Sequence, residues 1–282
     1  MALLSTISRW YFSKERLANT PSRKCNVLPD REEAYRQQAA WFIQDLGERL
    51  NVTQLCICTA IVYMQRFYMF HSFTMFRRNS VSAAAMFLAT KVQDEPRRLD
   101  QVVKLGYACI NKDQPNLVPL SSKSEHYQAE VQELVSNEII LLSTLGFDVA
   151  VSHPHPCVVQ CCTALHLPRE FTKLSYLLAT SSLLVTTLCL RFSPQVVACV
   201  CIHLANSWSI NTLIPPSNTG REWYHSLDST VNIELIETLK QEFEHILEKH
   251  PNMIKIKLLR SVPDFLKAGV NIFSFTLNSK IH

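Results

Sequence analysis

Apolar residues recur at steps of three and four along most of this chain, a period that fits helices. Ala39, Ile43, Leu46 and Leu50 fall on one face of a helix over about 31–50. Asn51 and Thr53 end that helix and cap the next, which runs to about 70 with Ile57, Ala60, Ile61, Met64, Phe67 and Tyr68 on one side. SVSAAAMFLATKV predicts a third helix, capped by Asn79 or Ser80 and closed by Pro96. A fourth covers about 98–110, NKDQPNLVPLSSKSE is a loop, and a fifth from about 124 to 145 stops at Gly146. Glycine supplies only 5 of 282 residues. Sheets and phosphate-binding loops lean on glycine for tight turns, so its scarcity favours helices joined by proline and polar turns.

The polar, proline-rich VSHPHP at 151–156 marks a domain junction, and there His153 and His155 read as parts of a turn. Beyond it, Ser193-Pro194 is a cap followed by proline at the first helical position, and IPPSNTG at 214–220 is a loop. Asn232 caps a last helix with Leu235, Leu239, Phe243 and Ile246 inward, ended by Pro251. LSYLLATSSLLVTTLCL at 174–190 carries no charge, but it is shorter than the roughly 20 residues of a membrane span and holds six Ser/Thr. It reads as a central core helix, with no membrane partner. The halves echo each other, for AMFLATKV at 85–92 aligns with CIHLANSW at 201–208, a shift of 116 residues. Ser207 stands at the position of Lys91. The expected layout is an N-terminal segment 1–30, a first unit 31–150, a second unit 151–260 and a divergent tail 261–282.

Net charge is +4, with no dense basic block, so composition gives no footprint of nucleic-acid binding. Ten cysteines at irregular spacing, several inside apolar helical runs, read as reduced thiols. No GxGxxG, P-loop, HExxH or GxSxG occurs, and no catalytic residue is expected. Cys199 and His203 share a helix face without the further ligands a metal site recruits, so no metal and no cofactor is expected.

Two charges do not fit. Lys91 stands on the face of Phe87 and Leu88, and Glu138 interrupts a stripe made by Leu134, Val135, Leu141 and Leu142. An unpaired buried charge is costly, so each is paired or at an edge. Either the two pair with each other or snorkel to water, or the stripe is exposed and docks a partner whose register the charges fix.

TAIVYMQRFYM, SVSAAAMFLATKVQDEP, EIILLSTLGFDV and SHPHPCVVQC together resemble the cyclin box of T-type cyclins. RWYFSKERLANTPSR resembles the segment before that box, YRQQAAWFIQDLGERLNVTQL its first helix, and VVACVCIHLANSWS the central helix of the second box. The resemblance covers about residues 9–260. It implies an all-α fold of two tandem five-helix cyclin-box repeats with a short N-terminal helix. It also implies a nuclear regulatory subunit, not an enzyme, that forms a heterodimer with cyclin-dependent kinase 9. That complex, positive transcription elongation factor b, promotes transcription elongation by phosphorylating the C-terminal domain of RNA polymerase II. On the same resemblance Lys91 and Glu138 clasp the kinase, Phe147 is the apolar anchor, and Leu88, Val92 and Val149 line the surface. Transcription regulators would bind the second box. The chain departs from the family at Gln65, which stands where histidine is usual, at Thr90, at Gln93-Asp94-Glu95 and at Asn206-Ser207. After the second box, Lys255, Lys257 and Arg260 are spaced among aliphatics, which does not support RNA binding. The competing readings are a diverged cyclin-fold scaffold and a nucleic-acid-binding cyclin-fold protein, neither activating a kinase.

Overall fold

A computed structural model describes residues 9–114, 118–209, 214 and 222–249. Every regular element among them is helical. Two short helices, α1 (Lys14–Ala18) and α2 (Pro21–Lys24), stand where one N-terminal helix was expected. Ser13 and Thr20 cap them, each accepting from a backbone N–H three residues on. Then come α3 (Pro29–Leu50), α4 (Gln54–Phe67), α5 (Arg78–Val92), α6 (Leu99–Ile110) and α7 (Glu125–Leu145). The described residues form two compact units: the first holds those from Arg9 to Ser152 together with Leu183–Arg191, and the second those in His153–Ser182 and from Phe192 to Lys249.

In the first unit α5 is the central element, packed against α3, α4, α6 and α7. Its small residues explain this: Ala84, Ala85 and Ala89 are fully buried and let neighbouring backbones approach. Gly47 on α3 serves the same end, because a Cβ there would lie 2.4 Å from Ile57 and 2.9 Å from Met86. The start of α5 differs from expectation. The helix begins at Arg78, with Arg77 as an N-cap whose side chain makes no capping bond, so Asn79 and Ser80 lie in its first turn. It ends at Val92, ahead of Pro96, where Asp94 adopts φ +54° and turns the chain away.

A buried ionic network ties this unit together. Arg36 on α3 is 4% exposed and donates to Glu32 Oε1 at 2.9 Å, to Gln65 Oε1 at 2.9 Å and to the carbonyls of Gln65 and Tyr68. Glu32 Oε2 in turn accepts from Thr20 Oγ1 and from Arg23 Nε, both at 2.8 Å. One carboxylate thus joins α2 to α3, and one guanidinium joins α3 to the C-terminal end of α4, whose last carbonyls lack helical donors. Burial pulls the Arg36 pKa down, and Glu32 opposes that shift.

The second unit holds α8 (Pro154–Ala164), most of α9 (Arg169–Val185), α10 (Pro194–Trp208) and α11 (Ile233–Lys249). A 3-10 turn, Trp223–Ser226, lies between α10 and α11 where the first unit has the full helix α6. α10 is its central helix, packed on α8 and α11. The 116-residue shift carries both ends of α5 onto both ends of α10. Ser193 caps α10 by accepting from Val196 N, with Pro194 in its first turn.

Three expectations are corrected here. VSHPHP does not remain a turn: His153 is the N-cap of α8, and Pro154 and Pro156 sit in its first turn, where no N–H is required. His155 is therefore a buried helical residue, hydrogen-bonded through Nε2 to Thr180 Oγ1 at 3.0 Å. The helix expected over 174–190 ends at Val185 and gives way to a 3-10 turn at Leu188–Leu190. Thr186 Oγ1 accepts from Leu188 N at 3.2 Å, offering the backbone a non-helical partner. In α11 the buried residues are Ile236, Leu239, Phe243 and Leu247, so the inward face at each end lies one position beyond Leu235 and Ile246. The expected end at Pro251, the tail 261–282, Lys255, Lys257, Arg260 and most of IPPSNTG lie outside the described residues.

All ten cysteines are free, and burial pushes the thiols of Cys56 and Cys199 up to about 12. His203 Nε2 meets Glu237 Oε2 at 2.9 Å, and no group of metal-ligating side chains forms among the described residues. No helix among them is long and apolar enough to cross a membrane.

Glu32→Ala strands the Arg36 charge in the core and should lower stability by about 3–5 kcal/mol, whereas Glu32→Gln, which keeps an acceptor, should cost less; urea unfolding of the three chains measures both. His155 is held at a pKa of about 3 by burial and then by His153, against an ordinary 6.5. The unfolded chain therefore binds the extra proton first. Stability from this group is complete above about pH 6.5 and declines as pH falls toward 3. Thermal unfolding from pH 7.5 to 4.5 should show that decline, and His155→Gln should flatten it.

Candidate partner-binding site

The two charges that interrupt apolar faces meet at the surface of the first unit. Lys91, in the last turn of α5, places Nζ 2.7 Å from Oε1 and 2.9 Å from Oε2 of Glu138 on α7. The Glu138 side chain is 14% exposed and that of Lys91 46%, so the carboxylate is sheltered and the ammonium faces outward. Nζ also stands 3.9 Å from the centre of the Phe87 ring, a cation–π contact that fixes the lysine from below. The stripe around Glu138 divides as the helical period requires: Leu134 and Leu141 are buried, while Val135 and Leu142 are half-buried. Intramolecular pairing and an exposed docking face are therefore compatible.

Apolar side chains are also exposed on α7 and just past its end. Phe147 is 72% exposed and Ile139, next to Glu138, is 60% exposed. Val92 and Val149 are half-buried. Leu88, expected to line the surface, is only 5% exposed. It sits three residues before Lys91 on a helix packed on several sides, so its side chain is taken up by the core. Ile139 is the residue that periodicity missed. It belongs to the solvent side of α7, where an isoleucine carries no distinguishing pattern.

Phe147 owes its exposure to an unusual turn. α7 ends at Gly146 with φ +61°, and Phe147 follows with φ +61°. Glycine enters this left-handed region freely; for phenylalanine it is unfavourable. The Phe147 N–H donates to the Leu142 carbonyl at 3.2 Å, closing the helix end. The Tyr63 hydroxyl donates to the Val149 carbonyl.

The positions at which the sequence departs from the T-type pattern leave that pair in place. Gln65 is in the Arg36 network, the Thr90 hydroxyl donates to the Phe87 carbonyl at 2.8 Å, and Ser207 Oγ donates to the Leu204 carbonyl at 2.8 Å. None replaces a group of the Lys91–Glu138 pair.

The second unit carries a separate feature, an open groove of about 760 Å³ between α8 and α9. Val159, Leu167, Tyr176 and Leu177 give it apolar walls, and Arg169 and Lys173 stand among the lining residues.

Comparison with known proteins accounts for both units. The family model of the cyclin N-terminal domain matches residues 7–150, and that of the Cyclin-T2-like C-terminal domain matches 153–246. The chain is 50% identical to mouse Cyclin-T2 over 248 residues, covering 88% of this chain and 34% of the relative. It is 50% identical to human Cyclin-T1 over 247 residues, with coverages of 88% and 34%. Drosophila melanogaster Cyclin-T is 47% identical over 249 residues, with coverages of 88% and 22%. The chain thus spans about a third of the length of the first two relatives. Among solved structures, a chain of the yeast RNA Pol II CTD kinase CTDK-1 complex shares the fold with a TM-score of 0.70 at 15% identity, covering 90% of this chain and 77% of that one. A chain of the Chaetomium thermophilum CAK complex does so with a TM-score of 0.60 at 14% identity, covering 99% and 95%. With one cyclin domain matched over half its length and a T-type second domain behind it, this chain belongs to the cyclin family, on its T-type branch.

Proposed function

We propose that this chain is the regulatory subunit of a cyclin-dependent kinase, cyclin-dependent kinase 9, and that the heterodimer acts in the nucleus on the C-terminal domain of RNA polymerase II. Support comes from half-identity to Cyclin-T1 and Cyclin-T2 and from a fold shared with chains of kinase complexes, one of them described as an RNA Pol II CTD kinase. The observation that carries the reading is the Lys91–Glu138 pair, closed within the chain at the surface of the first unit, on a helix that also exposes Ile139 and leads into the exposed Phe147. A preformed pair together with exposed apolar side chains gives a partner a fixed polar register and a surface worth burying.

The mechanism is a population shift. A protein kinase is active only when its own Lys–Glu pair is formed, which depends on the position of one mobile helix. A surface that packs against the active position of that helix and not the inactive one favours the active state by the difference in binding free energy. In this mechanism Lys91, Glu138, Phe147, Val92 and Val149 form the docking surface, with Leu88 supporting it from beneath, and the cyclin supplies no group to the phosphoryl transfer.

The second repeat has its own surface for transcription regulators, and we assign that role to the groove between α8 and α9. Its apolar walls and its cations Arg169 and Lys173 suit a peptide that alternates aliphatic and acidic residues.

Lys91→Ala and Glu138→Ala should each weaken association with cyclin-dependent kinase 9 by about 30-fold or more, since a docked charge that loses its partner costs roughly 2–5 kcal/mol. Phosphorylation of a polymerase C-terminal-repeat peptide should fall in parallel. Failure of the unsubstituted chain to co-purify with the kinase would sink the regulator reading and favour the scaffold. For the second repeat, titration of a fluorescent leucine–glutamate peptide should show binding that Arg169→Glu with Lys173→Glu abolishes while kinase association is kept.

A further inference from the structure

The turn that presents Phe147 is held from the N-terminal end of the chain. Trp10 is 3% exposed, and its indole Nε1 donates to Asp148 Oδ2 at 2.7 Å across 138 residues of sequence. The ring lies beneath the Arg66 guanidinium, 4.6 Å from its centre, and meets Phe70 edge-on at 6.1 Å. The Arg9 guanidinium lies against Gly146, 3.0 Å from where a Cβ would stand. Two residues on, the Phe12 N–H donates to the Leu190 carbonyl at 2.7 Å, and the Phe12 ring also meets Phe70. Residues 9–12 thus form a strap fixed at several points, with its indole N–H on the residue directly after Phe147.

That placement matters because local backbone bonds, Phe147 N–H to the Leu142 carbonyl and Asp148 N–H to the Leu145 carbonyl at 3.2 Å each, close the turn without relieving its strain. Two successive left-handed residues, the second a phenylalanine, are disfavoured in an isolated chain. Such a conformation persists where surrounding contacts over-determine it. Here the Tyr63 hydroxyl fixes the Val149 carbonyl and the Trp10 indole fixes the Asp148 carboxylate, so Phe147 is gripped just beyond its own position.

We propose that Trp10 is a positioning residue for the kinase-docking surface: through Asp148 it locks the left-handed turn and holds Phe147 outward before a partner arrives. The role rests on the kinase-regulator reading. An anchor already in its bound conformation loses less freedom on docking, and affinity gains by that amount. Removing the indole N–H lets the turn relax toward ordinary backbone conformations while the helices stay in place.

Two readouts on the same proteins separate this proposal from the reading beneath it. Amide hydrogen exchange on the chain alone reports the turn, and titration with cyclin-dependent kinase 9 reports docking. Trp10→Phe keeps a ring on Arg66 and Phe70 but loses the donor, Asp148→Ala loses the acceptor, and Asp148→Asn keeps an acceptor oxygen. Trp10→Phe and Asp148→Ala should exchange the 146–149 amides about tenfold faster and bind the kinase about tenfold more weakly, the scale of one hydrogen bond to a charged group. Asp148→Asn should restore both, and amides in the middle of α5 should be unchanged, which excludes general destabilisation. Wild-type exchange at 146–149 in Trp10→Phe and Asp148→Ala overturns the lock. Faster exchange with unchanged kinase affinity overturns its role in docking. If the unsubstituted chain binds no kinase, the regulator reading and the docking role fall together, and exchange alone decides whether the lock exists.

Discussion

A guanidinium sealed from water governs the first repeat. Arg36 is buried on α3, and a cation there is tolerated only if its donors are occupied. Glu32 supplies the opposing charge, while Gln65 and the last carbonyls of α4 take the remaining donors. The requirement fixes the crossing of α3 and α4, and α5 lies against both of them. Because Glu32 also gathers Thr20 and Arg23, the same network attaches α2 and so bears on where the chain before it runs. A substitution anywhere in this set is felt as desolvated charge rather than as a lost surface contact. Gln65, a departure from the family's usual histidine, is accommodated because its amide oxygen accepts from Arg36.

The Lys91–Glu138 pair works differently. It is partly solvated, and pairs of that kind contribute about 0–1 kcal/mol to folding. Its value is geometric. The carboxylate is sheltered from water, the ammonium rests on Phe87, and the two are held together within the chain. In the second repeat Ser207 occupies the position of Lys91 and turns its hydroxyl back to its own helix. The two central helices share length and register, and only one ends in a charge.

Much of this organisation is legible in the sequence because it is written locally. The small-residue run of α5 and its echo in α10, the Ser193-Pro194 start and the glycine stop at Gly146 are all short-range signals, and the helices follow them. The errors fall where tertiary context decides. In α11, stepping from Leu239 and Phe243 by four and three selects Leu235 and Ile246, whereas packing selects Ile236 and Leu247. Leu88 and Lys91 share a helix face, yet burial separates them within one turn. The odd charges could be noticed from periodicity, and their assignment to a partner came from family resemblance. The link from Trp10 to Asp148 leaves no periodic trace, since it joins residues 138 positions apart, and a left-handed phenylalanine has no signature in composition.

In the proposed docking role, closing the ion pair within the chain also shapes how the kinase finds it. A lysine and a glutamate in contact cancel each other at a distance, so beyond one Debye length, about 8–10 Å, the patch projects almost no field. Approach to such a surface gains little from long-range attraction, and its encounter rate stays near the unsteered range of about 10⁵–10⁶ M⁻¹s⁻¹. Selectivity then resides after encounter, in how long a complex lasts once the apolar rim and the paired charges are covered.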